Sequence, residues 1–448
     1  MSLVLIFTAV FLSRVLFLSI SPSFFDSLEY LGVMEQTPLF QALKTVHAPA
    51  HPAFIVFSWF FNKLPFDDAL FKTELLQAFW GFGAVIVFYL IVKKVAGARK
   101  AVLLSLILAF LPYIWLSSVN LVYEPQLVFF LLLSLLSGQT NKYFLAGLFW
   151  GLAFLVSPVA LFSLPLTGLY LFQHKRKNFK PFIVWTTIFL LGAILIYKQV
   201  AGLKGEGVIN LLTSGADLGE KMRVEGGLFF ARAVRNSLVV YFHYLTVPLG
   251  IILLILALTE FRRNKKMRVV MVFWLGEFLY LNSVWHLGMY GRISLILTVC
   301  PVFLLLKTRD IWLKLIIVFL VFSSAHLVIP YRFRKTPYVL EKEYFYSLTE
   351  KPSIIISSYE EPYLKEILID FRVLNSPRTD QEEIKTWIKK AQLEKGTVFI
   401  TQQAVTTPYW QYDGMNFHLL SKRKKYSQTA GQQLMENLEL KVFQLPYR

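Results

Sequence analysis

Asn120-Leu121-Val122-Tyr123-Glu124-Pro125-Gln126-Leu127-Val128-Phe129-Phe130 sets one carboxylate at the mouth of a short loop, with apolar sequence closing in on both sides. No other acid occurs between residues 75 and 205. A carboxylate so close to apolar helix is costly unless it meets a polar cavity or a partner. The runs around it decide the fold class. Stretches of roughly 17 to 25 apolar residues are long enough to span a bilayer as helices. They are expected at 2–20, 69–92, 101–118, 122–138, 142–156, 158–173, 181–197, 238–260, 268–285, 292–307 and 311–329. The pair flanking Ser157-Pro158 is short, consistent with either tilted spans or a partly re-entrant pair. With 448 residues, 56% of them apolar, and a mean hydropathy of +0.53, the chain is too apolar for a soluble enzyme.

The basic residues set the expected orientation. Lys93, Lys94, Arg99 and Lys100, then Lys142, then Lys175, Arg176, Lys177 and Lys180 fall in alternate short loops. Arg262, Arg263, Lys265, Lys266 and Arg268, and finally Lys307, Arg309 and Lys314, continue the series. Short loops rich in Lys and Arg stay inside, so the N-terminus is expected on the cytoplasmic face of the plasma (inner) membrane. The net charge of +18 belongs mainly to residues 1–329, with 28 basic and 14 acidic side chains. Topology signals account for much of that excess, and no nucleic-acid partner is expected. Cys300 is alone, which excludes an internal disulfide and a cysteine metal cluster. Ser21-Pro22-Ser23-Phe24-Phe25 offers no small-residue cleavage site after the first run, which is therefore expected to remain as a span.

Composition shifts near residue 330. Residues 1–329 are expected to form a transmembrane domain of about eleven helices, and 330–448 a small extracytoplasmic α/β domain. In the latter, Ile354-Ile355-Ile356 and Val398-Phe399-Ile400 read as buried strands. Asp380 and Glu383 have capping-box spacing, and Ile384, Trp387, Ile388 and Ala391 repeat on one helical face. No glycine-rich phosphate loop and no His/Cys cluster occurs there; the plain reading is a lid or docking module without chemistry.

The polar residues that matter fall in the outer loops. The first, 21–68, carries Asp26, Glu29 and Glu35, then His47-Ala48-Pro49-Ala50-His51-Pro52, then an apolar segment 53–61 too short to span. Asp26 and Glu29 are one helical turn apart if the segment is helical, able either to face one cavity or to cap an interfacial helix. An outer carboxylate that stays ionised can take a proton from a hydroxyl nucleophile. Glu124 faces a polar cavity, or pairs with an outer-loop arginine. Glu277 and Arg14 lie within expected spans; Glu277 reads as structural or protonated, and Arg14 as able to reach the outer surface or pair with an acid. The four-residue spacing of His47 and His51 suits two metal ligands on a helix, but Pro49 and Pro52 argue against that helix. No metal site is assigned, and His51 reads instead as a hydrogen-bonding or phosphate-contacting residue. Arg232, Arg235 and Arg292 are outer-face guanidiniums suited to gripping a phosphate, or to ordinary headgroup contact. Tyr123 beside Glu124, and His286 in the loop around 286–292, join the candidate substrate- and phosphate-binding set.

Phe25-Asp26-Ser27-Leu28-Glu29-Tyr30 after the first span, followed by His51-Pro52-Ala53-Phe54, resembles the polyprenyl-phosphate-dependent glycosyltransferases of the GT-C fold. Bacterial members include enzymes like the protein O-mannosyltransferases and the aminoarabinose transferase of lipid A. The segment 120–130 resembles the family's second acidic site, Leu145 to Pro158 its glycine-spaced span ending in proline, and Tyr290-Gly291-Arg292-Ile293-Ser294-Leu295 its arginine-bearing late span. The resemblance covers about residues 1–310 and lies in the order of these segments. Asp26-Ser27 stands where many relatives have Asp-Glu, Glu124 where Asp is frequent, and His51-Pro52-Ala53 where His-Pro-Pro is frequent.

The resemblance implies a GT-C membrane enzyme that moves a monosaccharide from a polyprenyl-phosphate donor to a hydroxyl of a lipid, glycan or protein acceptor outside the membrane. It implies Asp26 as base, Glu124 as a second acid orienting acceptor or sugar, and Arg292 with His51 near the phosphate. Glu29, His286, Arg235, Arg232 and Tyr123 complete the binding set. No cofactor is assigned, and a divalent cation stays an open alternative. Two rival readings are a transferase or ligase of lipid-linked oligosaccharide and a lipid or glycan transporter (flippase). The transporter would show internal repeats, and no convincing repeat is seen.

Overall fold

The computed structural model describes residues 3–19, 25–35, 38–46, 50–66, 68–165, 167–168, 176–205, 207–208, 227–284, 295–333, 343–347, 354–357, 364, 372–375, 379–401, 404, 418–422 and 441–445. The chain divides into two compact units. One comprises Met1–Ser19 with Met34–Arg332, and the other Ile20–Val33 with Phe333–Arg448.

The first unit is helical. Its elements begin with α1 (Leu3–Val15), continue past α2 (Phe25–Glu35, mostly in the other unit) to α3 (Leu39–Thr45), α4 (Pro52–Asn62) and α5 (Ala69–Ala109), and reach α6 (Pro112–Ser117). Asp68 starts α5 by accepting the amide of Phe71 at 2.7 Å, the usual service of an N-cap aspartate. Two runs expected as separate spans, 69–92 and 101–118, are parted by a sharp break at Gly97 inside α5, and the second continues past Ala109 into α6. At Gly97 φ is 80° and ψ 168°, backbone open essentially to glycine alone. Contacts with α1 show what Gly97 does. Phe7 packs on Tyr89 and Phe11 on Phe79, so α1 and the first part of α5 run in opposite directions. Phe17 packs on Trp115, and Arg14 bonds Ala109, so beyond Gly97 the chain runs alongside α1.

Pro112 has no amide to donate and forces a break between α5 and α6. The last carbonyls of α5 therefore need other donors. Arg14 supplies one at 2.5 Å to Ala109, and the Ser324 hydroxyl donates to Phe110 at 2.6 Å; Arg14 also donates at 3.0 Å to Val10 within its own helix. Arg14 is fully buried. The expectation that it would reach the surface or an acid is corrected: its guanidinium serves the Ala109 carbonyl at the end of α5, where the helix dipole is negative, and the Val10 carbonyl of α1.

Next come α7 (Glu124–Gln139), α8 (Tyr143–Val156) and α9 (Arg176–Lys204). Asn141, at φ 63°, makes the tight turn from α7 to α8. Gly147 and Gly151 put a bare stripe of α8 against α9. A Cβ on Gly147 would lie 2.6 Å from the carbonyl carbon of Trp185, and one on Gly151 would lie 2.9 Å from the Phe189 Cβ. Small residues four apart allow this approach of two apolar helices. The run expected as a span at 158–173 opens as a 3-10 turn, Pro158–Ser163.

The run 238–260 contains a sharp bend. It is divided between α10 (Gly227–Leu245) and α11 (Val247–Arg263), which bend by 110° around Thr246. Pro248 cannot continue a helix from α10, and Thr246 takes φ 69°. Further on lie α12 (Lys265–Val284), α13 (Leu295–Val302) and α14 (Asp310–Phe333). Asp310 binds Arg99 at 2.7 Å and Lys100 at 3.0 Å, joining α14 to the basic residues flanking Gly97. By length and composition, two described helices can cross a membrane, Ala69–Ala109 and Phe179–Lys204, or up to three if the bent pair counts as one span.

The second unit contains a five-stranded mixed sheet, ordered β2-β1-β3-β5-β4. The strands are β1 (Ile354–Ser357), β2 (Arg372–Asn375), β3 (Val398–Thr401), β4 (His418–Lys422) and β5 (Lys441–Leu445). β1 pairs in parallel with β2 and β3, while β5 is antiparallel to β3 and β4. α15 (Gln381–Leu393) connects β2 to β3, with Asp380 accepting the Glu382 amide at 3.4 Å. Ile384, Ile388 and Ala391 of α15 pack on Ile354, Ile356 and Ile400, whereas Ile355 and Phe399 point to the opposite face with Phe345. That is the period-two alternation of a sheet covered on both sides.

Candidate active site

The loop 117–123 is almost wholly buried, and it delivers Tyr123 and Glu124 to the start of α7. Pro125 occupies the first helical turn, where a missing amide costs nothing. Glu124 is 2% exposed.

His51 comes from the other side, immediately before α4, and is likewise 2% exposed. Its ring stacks on Tyr123, with centroids 4.0 Å apart and planes 23° from parallel. Its Nδ1 lies 2.7 Å from the carbonyl oxygen of Val156, the last residue of α8. A carbonyl only accepts, so Nδ1 carries a proton. Nε2 is then a lone-pair acceptor in neutral His51, or a second donor in the cation. Tyr197 of α9 secures the same corner, donating its hydroxyl to the carbonyls of Ala50 and Phe154, both at 3.1 Å. Lys204 holds the carbonyl of Val46 a few residues earlier. The glycine stripe of α8 and the tyrosine of α9 thus set the position of a histidine far away in sequence.

Three of the residues singled out by sequence, His51, Tyr123 and Glu124, are therefore brought together. Asp26 and Glu29 lie on α2, one turn apart along its backbone; their side chains are outside the described residues, as is that of Arg232 on α10. His286, Arg292 and His47 also lie outside the described residues. Arg235 is exposed on α10 and contacts the side-chain oxygen of Asn236 at 3.4 Å. Among the described residues, no group of three or more His, Cys, Asp or Glu side chains is arranged to hold a metal ion.

One residue escaped the sequence reading. Glu74 of α5 is completely buried and accepts the Ser19 hydroxyl at 2.5 Å. Its signal was there: Glu74, Gln77 and Gly81 fall at i, i+3 and i+7, a polar and small stripe in an otherwise apolar helix.

This architecture is the GT-C fold. Among solved structures, ArnT from Cupriavidus metallidurans in the apo state matches at TM-score 0.58 and 11% identity, over 98% of this chain and 97% of that one. ArnT bound to undecaprenyl phosphate matches at TM-score 0.52 over the same shares. The oligosaccharyltransferase AglB from Archaeoglobus fulgidus, in complex with an inhibitory peptide and a dolichol-phosphate, matches at TM-score 0.52 and 11% identity. That match covers 89% of this chain and 69% of AglB. At such identity the likeness is one of fold. No family model matches the chain, and no curated protein matches it in sequence.

Proposed function

We propose that this protein is an integral membrane glycosyltransferase that moves a monosaccharide from a polyprenyl-phosphate carrier to an acceptor hydroxyl on the extracytoplasmic face. The observation that carries the reading is buried Glu124 at the start of α7 beside Tyr123, whose ring stacks on buried His51. The fold shared with ArnT and AglB, each solved with a polyprenyl-phosphate lipid, supports the donor class.

In the proposed reaction, Asp26 takes the proton of the acceptor hydroxyl as that oxygen attacks the anomeric carbon. The bond from that carbon to the phosphate oxygen breaks, and polyprenyl phosphate leaves with the electron pair. Arg292 and His51, with Arg232, Arg235 and His286, meet the charge growing on the phosphate. Glu124, with Tyr123 and Glu29, orients acceptor or sugar. The donor's lipid tail never leaves the bilayer, so the reaction has to be reached both from lipid and from the outer aqueous phase.

The test is transfer of label from polyprenyl-phospho-monosaccharide in membranes containing the protein. Asp26→Asn should accumulate normally while transfer drops by about 10²- to 10⁴-fold, the range for loss of a general acid or base, and Glu124→Gln should lower transfer without disturbing accumulation. Unchanged transfer in Asp26→Asn would return Asp26 to a helix cap. Failure of Glu124→Gln to accumulate would make that residue structural. Transfer from lipid-linked oligosaccharide alone would favour the ligase reading instead.

A further inference from the structure

Ser19, where α1 gives way to the loop that follows, is held twice. Its hydroxyl donates to Glu74 at 2.5 Å, and its amide donates to the carbonyl of Val119 at 3.1 Å. Val119 belongs to the buried loop that ends in Tyr123 and Glu124. The same face of α5 meets this loop a second time, because a Cβ on Gly81 would fall 2.0 Å from the Ser118 hydroxyl oxygen. Helical periodicity puts Glu74 and Gly81 on one side of α5, two turns apart. That side therefore presents a backbone-close contact at Gly81 and a carboxylate at Glu74. Trp115, at the foot of the loop, donates its indole N–H to Ser13 at 2.9 Å. The loop is consequently fixed to α1 at both ends of a short stretch, and Glu74 is the charged group that completes the upper attachment. A fully buried carboxylate in an apolar helix is expensive to keep. It accepts from a serine whose own backbone amide grips the loop carrying the candidate site.

We infer that Glu74 is a positioning residue for the transfer reaction: through Ser19 it fixes the loop 117–123, and so the places of Tyr123 and Glu124 against His51. This rests on the transferase reading above. Glu74 contributes here an acceptor oxygen rather than proton transfer, so an uncharged acceptor of the same shape serves equally well.

The experiment compares Ser19→Ala, Glu74→Leu and Glu74→Gln in nanodiscs, by steady-state transfer and by hydrogen exchange of the amides of residues 118–122. Ser19→Ala and Glu74→Leu should lower kcat by about tenfold or more, since small displacements at a reacting centre cost up to two decades. The donor KM should stay close to wild type, and exchange at 118–122 should quicken. Glu74→Gln still accepts the serine hydroxyl and should restore both kcat and slow exchange. Where Glu74→Leu does not fold, Ser19→Ala and Glu74→Gln carry the comparison.

Wild-type kcat and exchange in Ser19→Ala would overturn the inference, as would a Glu74→Gln variant as impaired as Glu74→Leu. A purely fold-stabilising role would lower the yield of folded protein while leaving kcat per folded molecule intact, which also overturns it. If the wild type transfers nothing from polyprenyl-phospho-sugars, the transferase reading falls. The exchange pattern then decides the attachment of the loop independently.

Discussion

Replacing His51 tests how the corner at α4, α7 and α8 is held. In His51→Phe the ring can still stack on Tyr123, now 4.0 Å from centroid to centroid, but Val156 loses the Nδ1 donor 2.7 Å from its oxygen. A typical internal hydrogen bond is worth about 1 kcal/mol, and a buried carbonyl left without its partner costs about 1–3 kcal/mol. His51→Phe should therefore destabilise by about 1–3 kcal/mol. His51→Ala also removes the stack, which adds about 0.5–1.5 kcal/mol beyond simple burial. Combining His51→Ala with Tyr123→Ala in a double-mutant cycle isolates that coupling. Reversible unfolding in mixed micelles supplies the free energies. A coupling below about 0.3 kcal/mol, within the error of independent sites, would refute the stacked arrangement. A His51→Phe variant as stable as wild type would refute the role assigned to the Val156 carbonyl.

The remaining predictions concern the frame around this corner. Gly147→Ala must push backbone against backbone at Trp185 and should cost about 1–3 kcal/mol, whereas Gly192→Ala, with open space around its Cβ, should be neutral or stabilising by thermal melting. Arg14→Met leaves the Ala109 carbonyl without its donor and should destabilise by at least about 1–3 kcal/mol; Arg14→Lys should recover only part, because an ammonium cannot span both the Val10 and Ala109 oxygens with the fork of a guanidinium. Asp310 is held below the ordinary aspartate range, chiefly by its hydrogen bond from Lys100 and then by the nearby charges of Lys100, Arg99 and Lys314. A depressed carboxylate contributes stability that is present above its unfolded value near 3.8 and is lost as pH falls through the lower folded value. The melting difference between wild type and Asp310→Asn should accordingly shrink as pH drops below about 4, and a difference that widens there would contradict the ion pair.

What the amino-acid sequence determined by itself is the material for a helical membrane fold and the identity of the costly residues within it. Apolar runs of span length allow no other economical structure in lipid, where backbone polar groups must bond within their own segment. For the same reason Glu124 stood out: an isolated carboxylate among apolar residues is conspicuous before any coordinate is known. The one-face repeat of Ile384, Ile388 and Ala391 is likewise a local pattern, legible because the helical period is local. Tertiary structure decided the rest, since the relevant partners are distant in the chain. Arg14 is matched to carbonyls 95 residues away, and His51 to one 105 residues away. The division at Thr246 depends on how two helices pack as well as on Pro248. Glu74 was overlooked because a lone acid near a helix start looks like an ordinary first-turn charge. Only the closeness of Ser19 shows it turned inward. Hydrophobicity chooses which segments are buried, but hydrogen-bond directions and close backbone approach choose which of them meet.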